Sequence, residues 1–192
     1  MKILRSDILA LIVIDIQKDH DYINLLRTER NNPEAEKNAN ILLNSWRAKN
    51  FPIFHIQYCY SNFDSLSNES AYMIDIKGIV SSLRNETSKK NNSNNAFIGT
   101  NLKKLLDSEN ISRIVFVGLS TDHFMSKTVR MARGYGFVTY VVSDATATFS
   151  NEGSDGQFFS AELIHRTTLA SITREFGTVV STKEMIRQIN EK

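Results

Sequence analysis

The sequence predicts an α/β domain, a mostly parallel sheet with helices on both faces. Two observations carry that prediction. Runs such as Leu9–Ile16 and Arg113–Val117 are dominated by consecutive apolar residues rather than alternating, as expected of strands covered on both faces. Each such run is followed by a stretch with helical spacing, the pattern of parallel strands joined by crossover helices.

The elements follow in order. Leu9–Ile16 is the first strand. From Pro33 to Lys49, Ala35, Ala39, Leu42, Leu43 and Trp46 fall on one side of a helix; Pro33 suits its first turn and Asn32 its cap. Phe51–Tyr58 is the second strand, and Ser88–Asn95 (SKKNNSNN) reads as a polar loop. Thr100–Asp107 is helical, with Leu102, Leu105 and Leu106 apolar. Arg113–Val117 is a buried strand ending in Gly118, and Ser120 to Arg133 is a helix that Gly134 and Gly136 help to stop. Phe137–Val142 is a strand, Ala161–Phe176 a helix, Thr178–Val180 a short strand and Thr182–Ile189 a last helix.

With 192 residues, two prolines and no low-complexity hinge, the chain is expected to form one domain over 1–192. A formal charge of +2 from 23 basic and 21 acidic residues argues against nucleic acid or an anionic membrane as partner. The apolar run Ile8–Ile16 is too short to span a bilayer and contains Asp15. No small-residue cleavage site follows Lys2 and Arg5, so a signal peptide is not expected. The single cysteine, Cys59, excludes an internal disulfide and points to a reducing cytoplasm. No GxGxxG or GxxxxGK[ST] phosphate loop occurs. Nothing therefore favours a dinucleotide-dependent oxidoreductase.

In open parallel sheets, ligands bind at the carboxyl ends of the strands, near a reversal of strand order. Those ends are Asp15–Gln17, Tyr58–Tyr60, Gly118–Asp122 and Ser143–Ala145. An aspartate closing an apolar strand is costly to bury, so Asp15 is either paired or functional. In Gly118-Leu119-Ser120-Thr121-Asp122-His123-Phe124 a strand enters a glycine turn and a helix start, a geometry suited to holding an oxyanion on backbone N–H groups. Thr121 and Asp122 are expected to cap that helix, His123 to meet a ligand or cap, and His165 to be a core histidine. His20 follows Asp15 in a loop, and Asp144 is expected to anchor the loop through Thr148.

The segments VIDIQKD (13–19), NNAFIGTNL (94–102), VGLSTDHFMSKTVRMARGYGF (117–137), VVSDATATF (141–149) and AELIHRTTLASITREFGTVV (161–180) together resemble the isochorismatase-like cysteine hydrolase superfamily, nearly end to end. The resemblance implies a three-layer fold around a six-stranded parallel sheet and a catalytic Asp, Lys and Cys. Asp15 matches the Asp. Phe124 stands where the family's nucleophilic Cys opens the helix. The matching non-proline cis bond would be Leu119–Ser120, and the oxyanion donors would be the backbone N–H groups of Ser120 and Phe124. The family's Lys lies six residues before the Phe of an SAF-like segment, here Ala96-Phe97. That count reaches Asn91; Lys90 fills the role if the loop carries one extra residue, and otherwise the position is empty. Asn95 stands for the segment's Ser. Nicotinamidase-like members hold a metal through Asp and His residues after the second strand. HIQYCYSNFDS, with His55 and Asp64, lacks that DxH spacing, so neither metal nor cofactor is expected.

A thiolate attacks a carbonyl, the Asp takes its proton, and the Lys keeps the Asp charged. With Phe124 in place of Cys, that route is closed at this position. Cys59, at the end of the second strand, reads first as an inert thiol. The resemblance then implies a small-molecule hydrolase in which Asp15 acts as general acid/base, assisted by Lys90, with Leu119, Ser120, Thr121 and His123 lining the ligand side. Some isochorismatases hydrolyse a vinyl ether without sulfur in this way. The alternative is a family member without activity, serving as a ligand-binding or oligomeric scaffold. A homodimer or higher homo-oligomer is expected in either case.

Overall fold

A computed structural model describes residues 8–18, 29–60, 72–73 and 75–191. Its strands are β1 (Leu9–Ile14), β2 (Ile53–Tyr60), β3 (Tyr72–Met73), β4 (Thr87–Asn91), β5 (Arg113–Leu119), β6 (Val138–Ala147), β7 (Asn151–Glu152), β8 (Phe158–Phe159) and β9 (Thr178–Val180). Its α-helices are α1 (Ala35–Ala48), α2 (Leu102–Ser108), α3 (Ser126–Gly134), α4 (Ala161–Glu175) and α5 (Thr182–Asn190). A 3-10 turn spans Gly78–Val80, and a π-helical turn over Thr121–Met125 leads into α3.

Six strands run parallel in the order β4-β2-β1-β5-β6-β9, with two-residue β3 added antiparallel to the end of β2. The predicted three-layer α/β fold is the one observed. The chain builds outward from β1 through β2 to β4, then returns to β5 on the other side of β1. Strand order therefore reverses between β1 and β5, and a crevice is expected at their carboxyl ends.

Alternation along β1 sorts the core into two layers. Leu9, Leu11 and Val13 face Ala39, Leu42, Leu43 and Trp46 of α1 and Met185 and Ile189 of α5. Ala10, Ile12 and Ile14 face Leu102 and Leu106 of α2, Val129 and Ala132 of α3, and Leu169 and Ile172 of α4. The buried Trp46 indole donates Nε1–H to the Leu9 carbonyl at 3.2 Å, which satisfies its polar end and fixes α1 on the sheet.

β4 was expected to be loop, and residues 88–91 are strand instead. Its sequence TSKKN has no apolar pattern because, among the described residues, it pairs only with β2 and covers little core. The hairpin β7–β8 is likewise absent from the apolar pattern. Asn32 does not cap α1. It sits at φ +44, and its Nδ2 donates to the carbonyls of Ser143 and Thr146 at 2.8 and 2.7 Å. Those two residues bracket an excursion in β6, where pairing jumps from Phe116↔Val141 to Gly118↔Thr146. Asp144 in this bulge does not hold the loop to Thr148. Its Oδ1 accepts from the Thr182 N–H and hydroxyl at 2.7 and 2.8 Å, and so fixes the start of α5.

Candidate active site

Asp15 is the first residue past β1. Its N–H still donates to the Ile56 carbonyl at 2.9 Å, but the residue is at φ +50, so the chain turns there instead of continuing the strand. Asp15 is only 8% exposed. Gln17 then replaces lost strand pairing with its side chain. Its Oε1 accepts from the Tyr58 N–H at 2.6 Å and its Nε2 donates to the Tyr58 carbonyl at 3.1 Å. This fully buried amide locks the ends of β1 and β2 together.

On the other side of the crevice, Gly118 at φ +124 pairs with Ile14, the residue before Asp15. The Leu119–Ser120 bond is cis, as the resemblance implies. The Ser120 carbonyl then accepts from the N–H groups of His123 and Met125 at 3.3 and 3.1 Å, closing the π-helical turn. Leu119 and Thr121 are fully buried, so their side chains are core rather than ligand-facing.

Neither Thr121 nor Asp122 caps the helix with its side chain. The Thr121 hydroxyl lies 2.9 Å from His165 Nδ1, and Thr148 donates its hydroxyl to Asp122 Oδ1. His165 is the expected core histidine. Both Asn32 amide hydrogens are directed at the Ser143 and Thr146 carbonyls, Asn32 Nδ2 also lies 3.4 Å from His165 Nε2, and the Thr121 hydroxyl holds the other ring nitrogen. Burial pushes its pKa down, against the pull of Glu162, and favours the neutral ring.

Phe124 is 3% exposed and packed within the core layer that also holds Phe97, Val129 and Leu169. Its ring meets Tyr58 edge to face, with centroids 6.3 Å apart. His123, one residue earlier, is exposed, and its Nε2 lies 2.9 Å from Asn94 Nδ2. Burial and the charge of Lys127 lower the His123 pKa, while the carboxylates of Asp122 and Asp15 pull it up. The imidazole therefore lies within the electrostatic reach of Asp15.

Lys90 is exposed and pairs in register with Gln57, on the opposite face of β4 from Asn91, which pairs with Tyr58 and is buried. The period of two thus sets Asn91, not Lys90, on the Phe124 side of the sheet. Asn91 donates Nδ2–H to the Asn95 carbonyl at 2.5 Å and accepts from the Ser93 N–H at 2.8 Å. Asn95 in turn donates to the Lys127 carbonyl at 3.2 Å, and Thr128 Oγ1 accepts from the Ala96 N–H at 3.0 Å. The loop after β4 is thereby fastened to the start of α3. Sequence reasoning missed Gln17, Asn91 and Asn94 as organisers of this region; a polar residue at each strand end was the available signal.

Cys59 is partly buried and follows Tyr58 on β2, so it lies on the face away from Phe124. His20, Asp64 and most of the Tyr60–Ile74 loop lie outside the described residues. Among the described residues, no three His, Cys, Asp or Glu side chains gather as a metal site, and no helix is long and apolar enough to cross a membrane.

The isochorismatase domain model matches residues 9–184. The chain is 37% identical over 177 residues to the uncharacterized isochorismatase family protein YrdC of Bacillus subtilis (strain 168), covering 92% of this chain and 94% of that protein. It is 31% identical over 180 residues to the uncharacterized isochorismatase family protein YddQ of the same organism, covering 93% and 98%. A crystal structure of an isochorismatase-family protein from Chromobacterium violaceum ATCC 12472 superposes with a TM-score of 0.89 at 28% identity, covering 100% of this chain and 98% of that one.

Proposed function

The chain belongs to the isochorismatase family, and we propose that it hydrolyses a small molecule with Asp15 as general acid/base and without a thiolate at position 124. The family is one of hydrolases, which supports the reaction class. The observation that carries the mechanism is the placement of Asp15: a carboxyl buried to 8% exposure at the reversal of strand order, across from the Ser120–Phe124 turn. A buried carboxyl held by a turned backbone is suited to exchanging a proton with a bound reactant.

Phe124 occupies the position of the family's nucleophile and has none to offer. Water must then supply the new oxygen, and Asp15 must handle the protons. The backbone N–H groups of Ser120 and Phe124 are the donors for developing negative charge, a role independent of the side chain at 124. Lys90 has no part in this reading, because its exposed side of β4 is the wrong one. The reading treats 1–192 as one catalytic domain, working in a reducing cytoplasm as a homodimer or higher homo-oligomer.

A second reading is favoured by the buried Phe124 ring and the Asn at position 91: a member that binds a ligand or serves as an oligomeric scaffold without turning over substrate. One experiment separates the two. The parent, Phe124→Cys and Asp15→Asn are assayed against amides, carbamates and vinyl ethers. Parent activity that disappears in Asp15→Asn is the expected result. Activity in Phe124→Cys alone would establish the second reading.

A further inference from the structure

We propose that His123 is the substrate-facing hydrogen-bond donor of this site, a neutral imidazole whose tautomer is set by Asn94, and that the substrate offers it a neutral carbonyl or ether oxygen. The inference rests on the strand-end site proposed above and deepens it by naming a group that recognises substrate.

The argument starts from position. His123 sits in the π-helical turn between Ser120 and Phe124, and Asn94 sits in the loop after β4. These loops flank the crevice from both sides. The pair links them at 2.9 Å through Asn94 Nδ2, a group that only donates. His123 Nε2 must therefore be the lone-pair nitrogen, and Nδ1 carries the hydrogen. Unlike Thr121, whose hydroxyl is committed to His165, the His123 ring is exposed and has a donor to spare.

The charges facing the ring come from each neighbouring element. Asp122 in the same turn and Asp15 at the end of β1 favour protonation. Lys127 in the first turn of α3 opposes it, as does partial burial, and the balance falls below the usual histidine range. Asn94, from the loop after β4, brings no charge. A neutral Nδ1–H within the electrostatic reach of the Asp15 carboxylate is suited to an uncharged oxygen acceptor rather than an anion, which Asp15 would repel. His123 would orient the reactant and polarise its oxygen while Asp15 exchanges the proton.

The test reads the ring by 15N NMR on the full chain, with the His123 resonances assigned by their loss in His123→Gln. The parent should show a protonated Nδ1 and an unprotonated Nε2 at pH 7.5. Asn94→Asp, which replaces the donor by an acceptor, should invert the tautomer and raise the titration midpoint. Asp15→Asn should lower the midpoint. Benzamide, the neutral carbonyl probe, should shift Nδ1 saturably, and His123→Ala should weaken its binding about 3–10-fold, the loss of one hydrogen bond. An Nε2-protonated parent, a midpoint indifferent to Asp15→Asn, or an unmoved Nδ1 with benzamide would each overturn the proposal. None of these readouts needs turnover. A parent that hydrolyses nothing but shows the expected resonances sinks the hydrolase reading and leaves this one standing; the reverse pattern does the opposite.

Discussion

Gly118→Ala tests whether the close approach of β1 and β5 is what places Asp15. A Cβ at position 118 would lie 1.9 Å from the Ile14 carbonyl oxygen, and 2.7 and 2.8 Å from the Ile14 carbonyl carbon and nitrogen. Ordinary contact needs about 3.5 Å, so the shortfall exceeds ~1 Å. All three opposing atoms are backbone, held in the β1–β5 ladder, and cannot rotate away as a side chain would. The backbone at 118 is also at φ +124, a conformation that costs an L-residue about 1–3 kcal/mol. Overpacking adds about 1–3 kcal/mol more, for a total of about 2–6 kcal/mol. In a chain of this size that is a fall in Tm of roughly 4–24 °C. Gly78→Ala is the control, because nothing lies within 4 Å of its added Cβ; it should stay within about 0.5 kcal/mol of the parent. The assay is urea unfolding followed by circular dichroism, with a thermal scan beside it. If Gly118→Ala unfolds at the same urea concentration as Gly78→Ala, the steric account of this strand pair is wrong.

The other expectations concern charge, polar networks and packing. Burial pushes the Glu36 and Glu86 carboxyls up, but Arg30 and Lys77 around the first and Arg47 and His55 around the second outweigh it and hold each at about 2. Folded values below the unfolded ones mean stability that is complete above about pH 4.5 and lost as pH falls toward 2; urea midpoints at pH 7, 4 and 3 should decline accordingly, by about 2–3 kcal/mol per group. His55 and His165 are likewise shifted down by burial, so a shallower loss should begin as pH falls through about 6.5, and a flat urea midpoint between pH 8 and 5.5 would contradict it. Thr121→Val leaves His165 Nδ1 without its hydroxyl partner and should cost about 1–3 kcal/mol in urea unfolding. Phe124→Ala removes a ring from a closed layer and should cost about 3–5 kcal/mol, whereas Phe124→Leu should cost much less; equal losses would mean that the ring is not packed as described.

The parts of the fold legible in the sequence are those where burial on both faces leaves a mark. β1 from end to end, and β5 beyond Arg113, are apolar because helices cover both sides, and α1 and α4 carry helical spacing because one side meets the sheet. β4 left no such mark. Its ordering comes from backbone pairing with β2, which any side chain permits, and no described strand pairs with its outer edge. Asn32 and Asp144 were misread for a related reason. Their local sequence permits a cap or a turn, but their partners, Ser143, Thr146 and Thr182, lie far along the chain and meet them only after the sheet is assembled.

The site divides along the same line. Asp15 was legible because a carboxylate at the end of a buried strand is costly and so conspicuous. Lys90 was not placed correctly, because counting along a loop cannot decide a register in which one step reverses the face. Pairing Asn91 with Tyr58 decides it, and puts an uncharged amide where a lysine was sought. That outcome bears on Phe124. A cysteine needs a neighbouring cation and a base to become a thiolate. On the Phe124 side of the sheet, position 91 offers the amide of Asn91, while Tyr58 offers an aromatic edge. Under the proposed reading an amide at 91 and a phenylalanine at 124 are compatible: with no thiolate at 124 there is no sulfur charge for a lysine to offset, and the Phe124 ring packs into the core layer beneath the turn. Asp15 has no such replacement. It lies at the reversal of strand order, within electrostatic reach of His123, whose ring the turn after β5 and Asn94 hold in place.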